Sequence, residues 1–490
     1  MKVLKSLIYI VLITFFLNSC SEDYLDQPVL IDNVIANFYK TEADANLAVI
    51  SAYDPLQWEI KEDVYFCEWN IGDICSDDAI KGGENAGDQP YTADIEKFDA
   101  NSSNELVLMT WKYMYIAIVR CNLVTDNVID IPVSEFADPA TKDRIIAEAK
   151  FLRAYYYFRL IKVFGGVPLL TTVHSPYDDY VPRSTTEETW ALIEKDLSEA
   201  IPHLPLKTDV LLTELGRVTQ GAAKAFLVKA YVFQEKWSLA ELLANEIILS
   251  GEYDLDLSYS NVFSLSAENG IGSIFEIQYM EEGTSDWPST RGSLISKLQE
   301  SRSGWGWGMN RPTADLIAEF ETGDPRLDAT VYSDASGYLG NFNHPKKYVL
   351  ASADRPNHPT RGPLNIRVFR YADLLLLHAE AAYHNSNEIG ARESVNKVRE
   401  RARGGNSTIL PYLTTTTTGN DLLLAIWHER RVELGMEGHR FFDLVRQKRA
   451  SEVMQAFGET NFVKGIHELF PVPEAEILLS GGVLEQNFGY

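Results

Sequence analysis

The chain has 490 residues, 45% of them hydrophobic, and a formal net charge of −26 at pH 7. That length and apolar share suffice for a large core, while so acidic a surface repels nucleic acid and anionic membrane. With four cysteines in 490 residues there is no disulfide framework, and no Cys/His spacing resembles a zinc site.

In chain order, Lys2 and Lys5 precede the apolar run Leu7–Leu17, with no acid before Glu22. This is a basic n-region and an h-region too short to span a bilayer, so residues 1–19 are expected to be a signal peptide. Leu17-Asn18-Ser19-Cys20 resembles a bacterial lipobox, with Asn18 in place of the commoner small residue. Cys20 is therefore the expected lipidation site. Triacylation there would supply the several acyl chains that a stable anchor needs. No later stretch is long and apolar enough to span a bilayer. Loss of residues 1–19 removes two Lys and no acid, which moves the formal charge to −28. Cys67, Cys75 and Cys121 then remain, and Cys67 with Cys75 reads equally well as a small disulfide loop or as two buried thiols.

A loop-rich stretch runs from Asp63 to Asn101. Helical periodicity follows: Ile145, Ala149, Leu152, Tyr156, Leu160 and Val163 recur at three- and four-residue steps, closed by Gly165-Gly166. Residues 216–253 carry two helices joined near Glu235, at about the tetratricopeptide period of ~34 residues. Tyr231, Trp237 and Ala240 fit that repeat, whereas Val228 and Glu235 replace its usual small residues. A third helix pair follows Phe369, and a fourth begins at Asp421. The fold class is thus mainly α: a tetratricopeptide-like helical-repeat scaffold over about 105–250 and 365–450. Gly, Pro, Asn and Asp interrupt it over about 251–365, giving a loop-rich lobe where ligand contacts are expected. No linker separates domains, so residues 20–490 are read as one unit.

Several motifs carry a family likeness. They are "CSEDYLDQ" at 20–27, "AEAKFLRAYYYFRLIKVFGGVPL" at 147–169 and "GWGMNRPTADLIAEFETGDPR" at 306–326, then "RYADLLLLHAEAAYH", "ERRVELGMEGHRFFDLVR" and a C-terminal "FPVPEAEI…LEQNFGY". Together they resemble a SusD/RagB-type outer-membrane lipoprotein over nearly the whole chain. The resemblance implies a lipid-anchored protein facing the cell exterior, capping a TonB-dependent SusC-like transporter. It implies capture of oligosaccharide for import without cleavage. Some relatives work with peptides or proteins, so a peptide-binding import lipoprotein is the alternative reading.

The nine Trp sort into two sets. Trp111, Trp190, Trp237 and Trp427 sit in helical patterns and are expected in the core. Trp58, Trp69, Trp287, Trp305 and Trp307 lie in or beside the loop-rich stretches. An indole is flat, apolar and large enough to stack on a pyranose ring while polar neighbours bond its hydroxyls. The expected ligand contacts are Trp69, Trp287, Trp305 and Trp307, with Asp77, Asp78 and Asn85 beside Trp69. In "SGWGWGMN", glycines are expected to give the two indoles room, with a structural wedge as the competing reading.

No stretch isolates the carboxylate pair of a glycosidase, and no nucleophile elbow, phosphate loop or His-Glu-x-x-His is present. His378 and His384, six apart, do not share a helix face. No catalytic residue, metal or cofactor is expected. The charge-dense Glu429–Arg446 stretch, with acids and bases at helical steps, reads as ion pairs tying helices together.

Overall fold

The computed structural model describes residues 38–174, 179–281, 292–336, 340–358 and 360–490. The helical scaffold includes α1 (Glu42–Tyr53), α2 (Glu105–Val128), α3 (Pro139–Phe164), α4 (Thr186–Ala200), α5 (Gln220–Phe233), α6 (Trp237–Ser250), α7 (Tyr371–His384), α8 (Glu388–Ala402), α9 (Gly419–Leu434) and α10 (Arg440–Arg446). Several of these helices start on short polar side chains. Thr41 and Asp44 form a capping box on α1, and Thr185 with Glu188 forms another on α4. Asn104 Oδ1 accepts from Leu106 N–H and Val107 N–H at the start of α2. Each such cap is worth about 1 kcal/mol.

The protein is mainly helical, and successive helices pack as neighbours: α2 on α3, α3 on α4, α5 on α6, α7 on α8. The α3 stripe of Ile145, Ala149, Leu152, Tyr156, Leu160 and Val163 is buried. So are Phe151, Ala154, Tyr155 and Phe158 on its other sides, because α3 lies between α2 and α4. Each large apolar side chain buried there contributes about 1.5–3 kcal/mol. Arg153 of α3 offsets the cost of its own burial with a bidentate pair to Asp196 of α4, 2.7 Å at each bond, and a 2.9 Å bond to Asn122 of α2. The α5–α6 turn passes through Glu235 at φ 58°, where Lys236 N–H reaches back to Tyr231 C=O.

Trp111 and Trp190 are core residues. Trp237 is half-buried, its indole stacked 4.1 Å from the His384 ring so that it pins α6 to α7. Trp427 is also half-buried, its Nε1–H donating to Glu380. Trp58, from a loop-rich stretch, is buried and donates to Asp54 at 3.1 Å. Cys67, Cys75 and Cys121 are free thiols, and burial pushes all three up from the usual thiol range.

Short antiparallel strand pairs build the lobe against this scaffold. They are β1 (Ala79–Gly82) with β3 (Met309–Pro312), β2 (Ser273–Ile277) with β6 (Ile366–Arg370), and β4 (Val331–Asp334) with β5 (Phe342–Pro345). The wholly buried β2 brings Phe275 to 5.3 Å from Phe151 of α3, which seats the lobe on the helices. A second, smaller core lies under the lobe and includes Trp69, Ile74, Leu298, Met309 and Tyr348.

Candidate functional site

Residues 300–308 fold back on themselves. Gly304 N–H and Gly306 N–H both reach Ser301 C=O at 3.1 Å, Gly308 N–H reaches Glu300 C=O at 2.8 Å, and Trp307 N–H reaches Lys297 C=O at 2.7 Å. A Cβ on Gly306 would lie 1.9 Å from the Glu300 carbonyl oxygen, so only glycine permits this fold. The glycines thus serve close backbone approach rather than looseness, and the indoles are carried on a hydrogen-bonded turn.

Trp305 and Trp307 are both half-buried. The Lys297 ammonium joins them, 4.7 Å from the Trp305 ring centre and 5.8 Å from that of Trp307, and it also donates to Trp305 C=O. Cation–π contacts of this kind are worth about 0.5–2 kcal/mol and fix ring orientation. The Tyr65 ring meets Trp307 at 5.9 Å and 60°. Burial lowers the pKa of Lys297 and raises that of Glu300, which accepts from Trp305 N–H and pairs with Arg355. Asp334 accepts from the Ser301 and Ser303 hydroxyls, which hold its carboxyl well below the usual range.

Asn85 comes to the same rim. The β1–β3 ladder pairs Gly82 with Met309, and Gly83 N–H donates to Gly308 C=O at 2.8 Å. Arg302 then bonds Asp88 at 2.6 Å and lies 3.4 Å from Glu84, closing the 83–89 loop over the turn. Asn85 is exposed there, its Oδ1 accepting from Gly87 N–H.

Three expected contacts lie elsewhere. Asp77 and Asp78 are buried, not presented to a ligand. Asp77 takes both Arg440 Nε and an Arg440 terminal nitrogen at 2.8 Å, and Asp78 takes Arg431 Nε at 2.8 Å. Burial alone would push the Asp77 carboxyl up, but Arg440 and Arg431 outweigh it and hold the group below its ordinary value. Trp69 is 6% exposed, within the smaller core, because its short helix Glu68–Gly72 packs against Gly438. Among the described residues its Nε1 has no hydrogen-bond partner, and it lines an interior cavity of about 90 Å³ with Trp58, Glu68, Arg159 and Gln299. Trp287 and Cys20 lie outside the described residues.

Sequence reasoning missed Lys297, Tyr65 and Arg355. Lys297 precedes Trp305 by eight residues across a broken helix end, and Tyr65 belongs to a separate hairpin, so no periodicity links them to the indoles. The Glu429–Arg446 stretch, by contrast, is paired within the fold. Glu429 holds Arg326 and Arg399, Arg430 holds Asp373 and Asp443, Glu433 holds Arg326, Arg370 and Arg401, and Arg446 holds Glu380. Among the described residues no cluster of His, Cys, Asp and Glu fits a metal ion.

The chain matches two family models, one described as the SusD family over residues 340–490 and one as "Starch-binding associating with outer membrane" over residues 21–232. It is 26% identical over 531 aligned positions to a SusD-like protein of Formosa agariphila, covering 99% of each chain. Its fold is similar to that of a laminarin-binding SusD-like protein, with a TM-score of 0.79 and 28% identity over 92% of this chain and 100% of the other. It is similar also to surface glycan-binding protein A from Bacteroides thetaiotaomicron in complex with laminarihexaose, with a TM-score of 0.79 and 25% identity over 91% and 100%.

Proposed function

Because the chain belongs to the SusD/RagB-like family, we propose that it captures oligo- or polysaccharide at the cell surface and hands it to a TonB-dependent SusC-like outer-membrane transporter. It is a binding protein rather than an enzyme. Lipidation of Cys20 would hold it to the outer membrane facing the exterior. Among the described residues no helix is long and apolar enough to cross a membrane.

The observation that carries the reading is the pair of half-buried indoles, Trp305 and Trp307, oriented by Lys297 on a turn whose backbone bonds are internal. Flat apolar faces held rigid beside exposed polar groups suit a sugar ring, since little ordering entropy is lost on binding. Asn85 stands at the rim as a donor and acceptor for hydroxyls, and Trp287 is proposed as a further stacking face on sequence grounds.

The test is affinity electrophoresis of the chain from Ser21 onward through gels containing a panel of polysaccharides. Retardation by at least one glycan, abolished in the Trp305→Ala/Trp307→Ala double variant, is the expected result. Retardation that survives loss of both indoles, or capture of peptides instead, overturns the platform. Incubation of the retarded glycan at high protein concentration should produce no new reducing ends.

A further inference from the structure

One arginine beside the indoles is left without an acid. The chain has 70 Asp and Glu against 44 Lys and Arg, so an unpaired guanidinium calls for a reason. Arg311, on β3, stacks its guanidinium 4.0 Å over the Phe342 ring, and Phe342 is 39% exposed. Among the described residues its Nε is buried without a hydrogen-bond partner, and no carboxylate meets it as an ion pair; Glu96 acts on it only through space. Arg326, Arg430 and Arg431, which are buried where Arg311 is half-buried, each hold at least one acid.

Two more groups converge on the same spot. His344, on β5, is 4% exposed, and among the described residues its Nδ1 has no hydrogen-bond partner. Burial first, and Arg311 second, lower its pKa to about 4, so at neutral pH it is an uncharged ring able to donate one N–H. A Cβ on Gly308 would lie 3.4 Å from His344 Cε1 and 3.7 Å from Arg302 Cγ, and one on Gly82 would lie 3.0 Å from Arg311 Cγ. The paired glycines Gly82 and Gly308, both at positive φ, therefore leave a bare backbone floor between Arg311, His344 and Arg302. Trp307 is the next residue along.

We propose that Arg311, with His344 beside it, is an anion subsite at the Trp307 end of the platform, and that the captured glycan carries a uronate carboxylate or a sulfate ester on or next to the sugar stacked there. This rests on the proposed glycan capture and narrows it to acidic glycans. The net charge of the chain does not oppose it. Distant acids are screened beyond about 8 Å at physiological ionic strength. Of the near ones, Asp88 and Glu84 are paired with Arg302, Asp334 accepts from Ser301 and Ser303, and burial raises Glu96, which Lys81 and Lys97 face as well as Arg311. A planar guanidinium braced on an aromatic ring is suited to both carboxylate and sulfate oxygens.

Calorimetry against three oligosaccharides of matched length distinguishes the sources: a neutral β-glucan, an oligouronate and a sulfated galactan. One acidic ligand should bind about tenfold or more tighter than the neutral one, as a charge-assisted contact provides. Which of the two does so identifies the group. Raising NaCl from about 0.05 to 0.5 M should erode that advantage and leave neutral binding unchanged. Arg311→Gln should abolish the advantage and leave neutral affinity within about twofold. Equal affinity for neutral and acidic ligands overturns the subsite and leaves the glycan reading standing. So does an acidic preference that persists in Arg311→Gln. Should Arg311→Gln melt early, the salt series on the native chain decides, and a preference indifferent to NaCl overturns the proposal. Failure of every ligand to bind sinks the glycan reading itself, and the subsite with it.

Discussion

Two stretches of this chain stand out in sequence, and the structure uses them oppositely. Glu429–Arg446 is crowded with charge, as an active site often is, yet its acids and bases are spent on one another and on Arg326, Arg370, Asp373 and Glu380. Ser303–Asn310 is mostly glycine and tryptophan, as a flexible loop often is, yet its backbone is hydrogen-bonded into the fold and its two indoles are half-buried. What separates a structural cluster from a proposed binding one is therefore not residue type. It is whether the interactions each group can make are already made inside the fold.

The comparison breaks most decisively at Arg326. Its side chain is 0% exposed and meets Asp324, Glu429 and Glu433 at 2.8, 2.5 and 3.2 Å. Arg326→Ala leaves three buried carboxylates short of a counter-charge, a loss on the order of 3–5 kcal/mol. Urea denaturation should show that loss, or the variant should fail to accumulate as folded protein. Glycan affinity per folded molecule should stay unchanged. A stable Arg326→Ala with weakened binding would move the charged stretch into the functional class.

Trp307→Ala is the reciprocal test, with a smaller effect on a different observable. Removing an anchoring indole costs about 2 kcal/mol or more of binding. Trp307 also packs on the smaller core, so some stability goes with it. Binding by calorimetry should fall far more than the unfolding free energy does. Early melting with affinity retained would make Trp307 the wedge under the turn rather than a face for sugar.

Local features were legible in the sequence and long-range pairings were not. The α3 stripe, its Gly165 stop and the α5–α6 turn at Glu235 follow from spacing within a few residues, so periodicity finds them. Trp305 and Trp307 were legible as candidates because two indoles among glycines have no regular element to be buried in. The burial and pairing of Asp77 and Asp78 were not legible because their partners, Arg431 and Arg440, lie more than 350 residues away in sequence. The burial of Trp69 was hidden for the same reason: Gly438, distant in sequence, roofs its helix. Lys297 and Arg311 carry no sequence signal, since each gains its meaning from what the fold sets beside it.

The smallest effect concerns pH, and it sharpens the same contrast. Burial pushes Glu433 and Asp443 up, but the arginines around them outweigh it and hold both at about 2. Their folded values lie below the unfolded ones of about 4, so the stability they contribute is present above that pH and is lost as the pH falls toward 2. Asp73 behaves in the opposite sense. Burial raises it to about 7, with the neighbouring Asp78 also raising it and the Asn310 and Gly438 bonds and Lys347 opposing. Its contribution is complete below the unfolded value and is lost as the pH rises through 7. Asp73 accepts Gly438 N–H at 2.8 Å and Asn310 Nδ2–H at 3.0 Å, while Asn310 Oδ1 is buried without a partner among the described residues. Asp73→Asn keeps the shape, removes the ionisation, and lets its own amide donate to that oxygen once Asn310 turns over. Above pH 7 the variant should be more stable than the native chain, and the gap should close progressively as the pH falls toward the unfolded value of about 4. Thermal denaturation from pH 4 to 9 reads this directly. Glycan affinity should be the same in both proteins across that range, because Asp73 lies in the paired interior beneath the platform. A variant less stable at every pH would mean that Asp73 is needed as a charge. One whose glycan affinity changes would tie this buried bond network to the binding face.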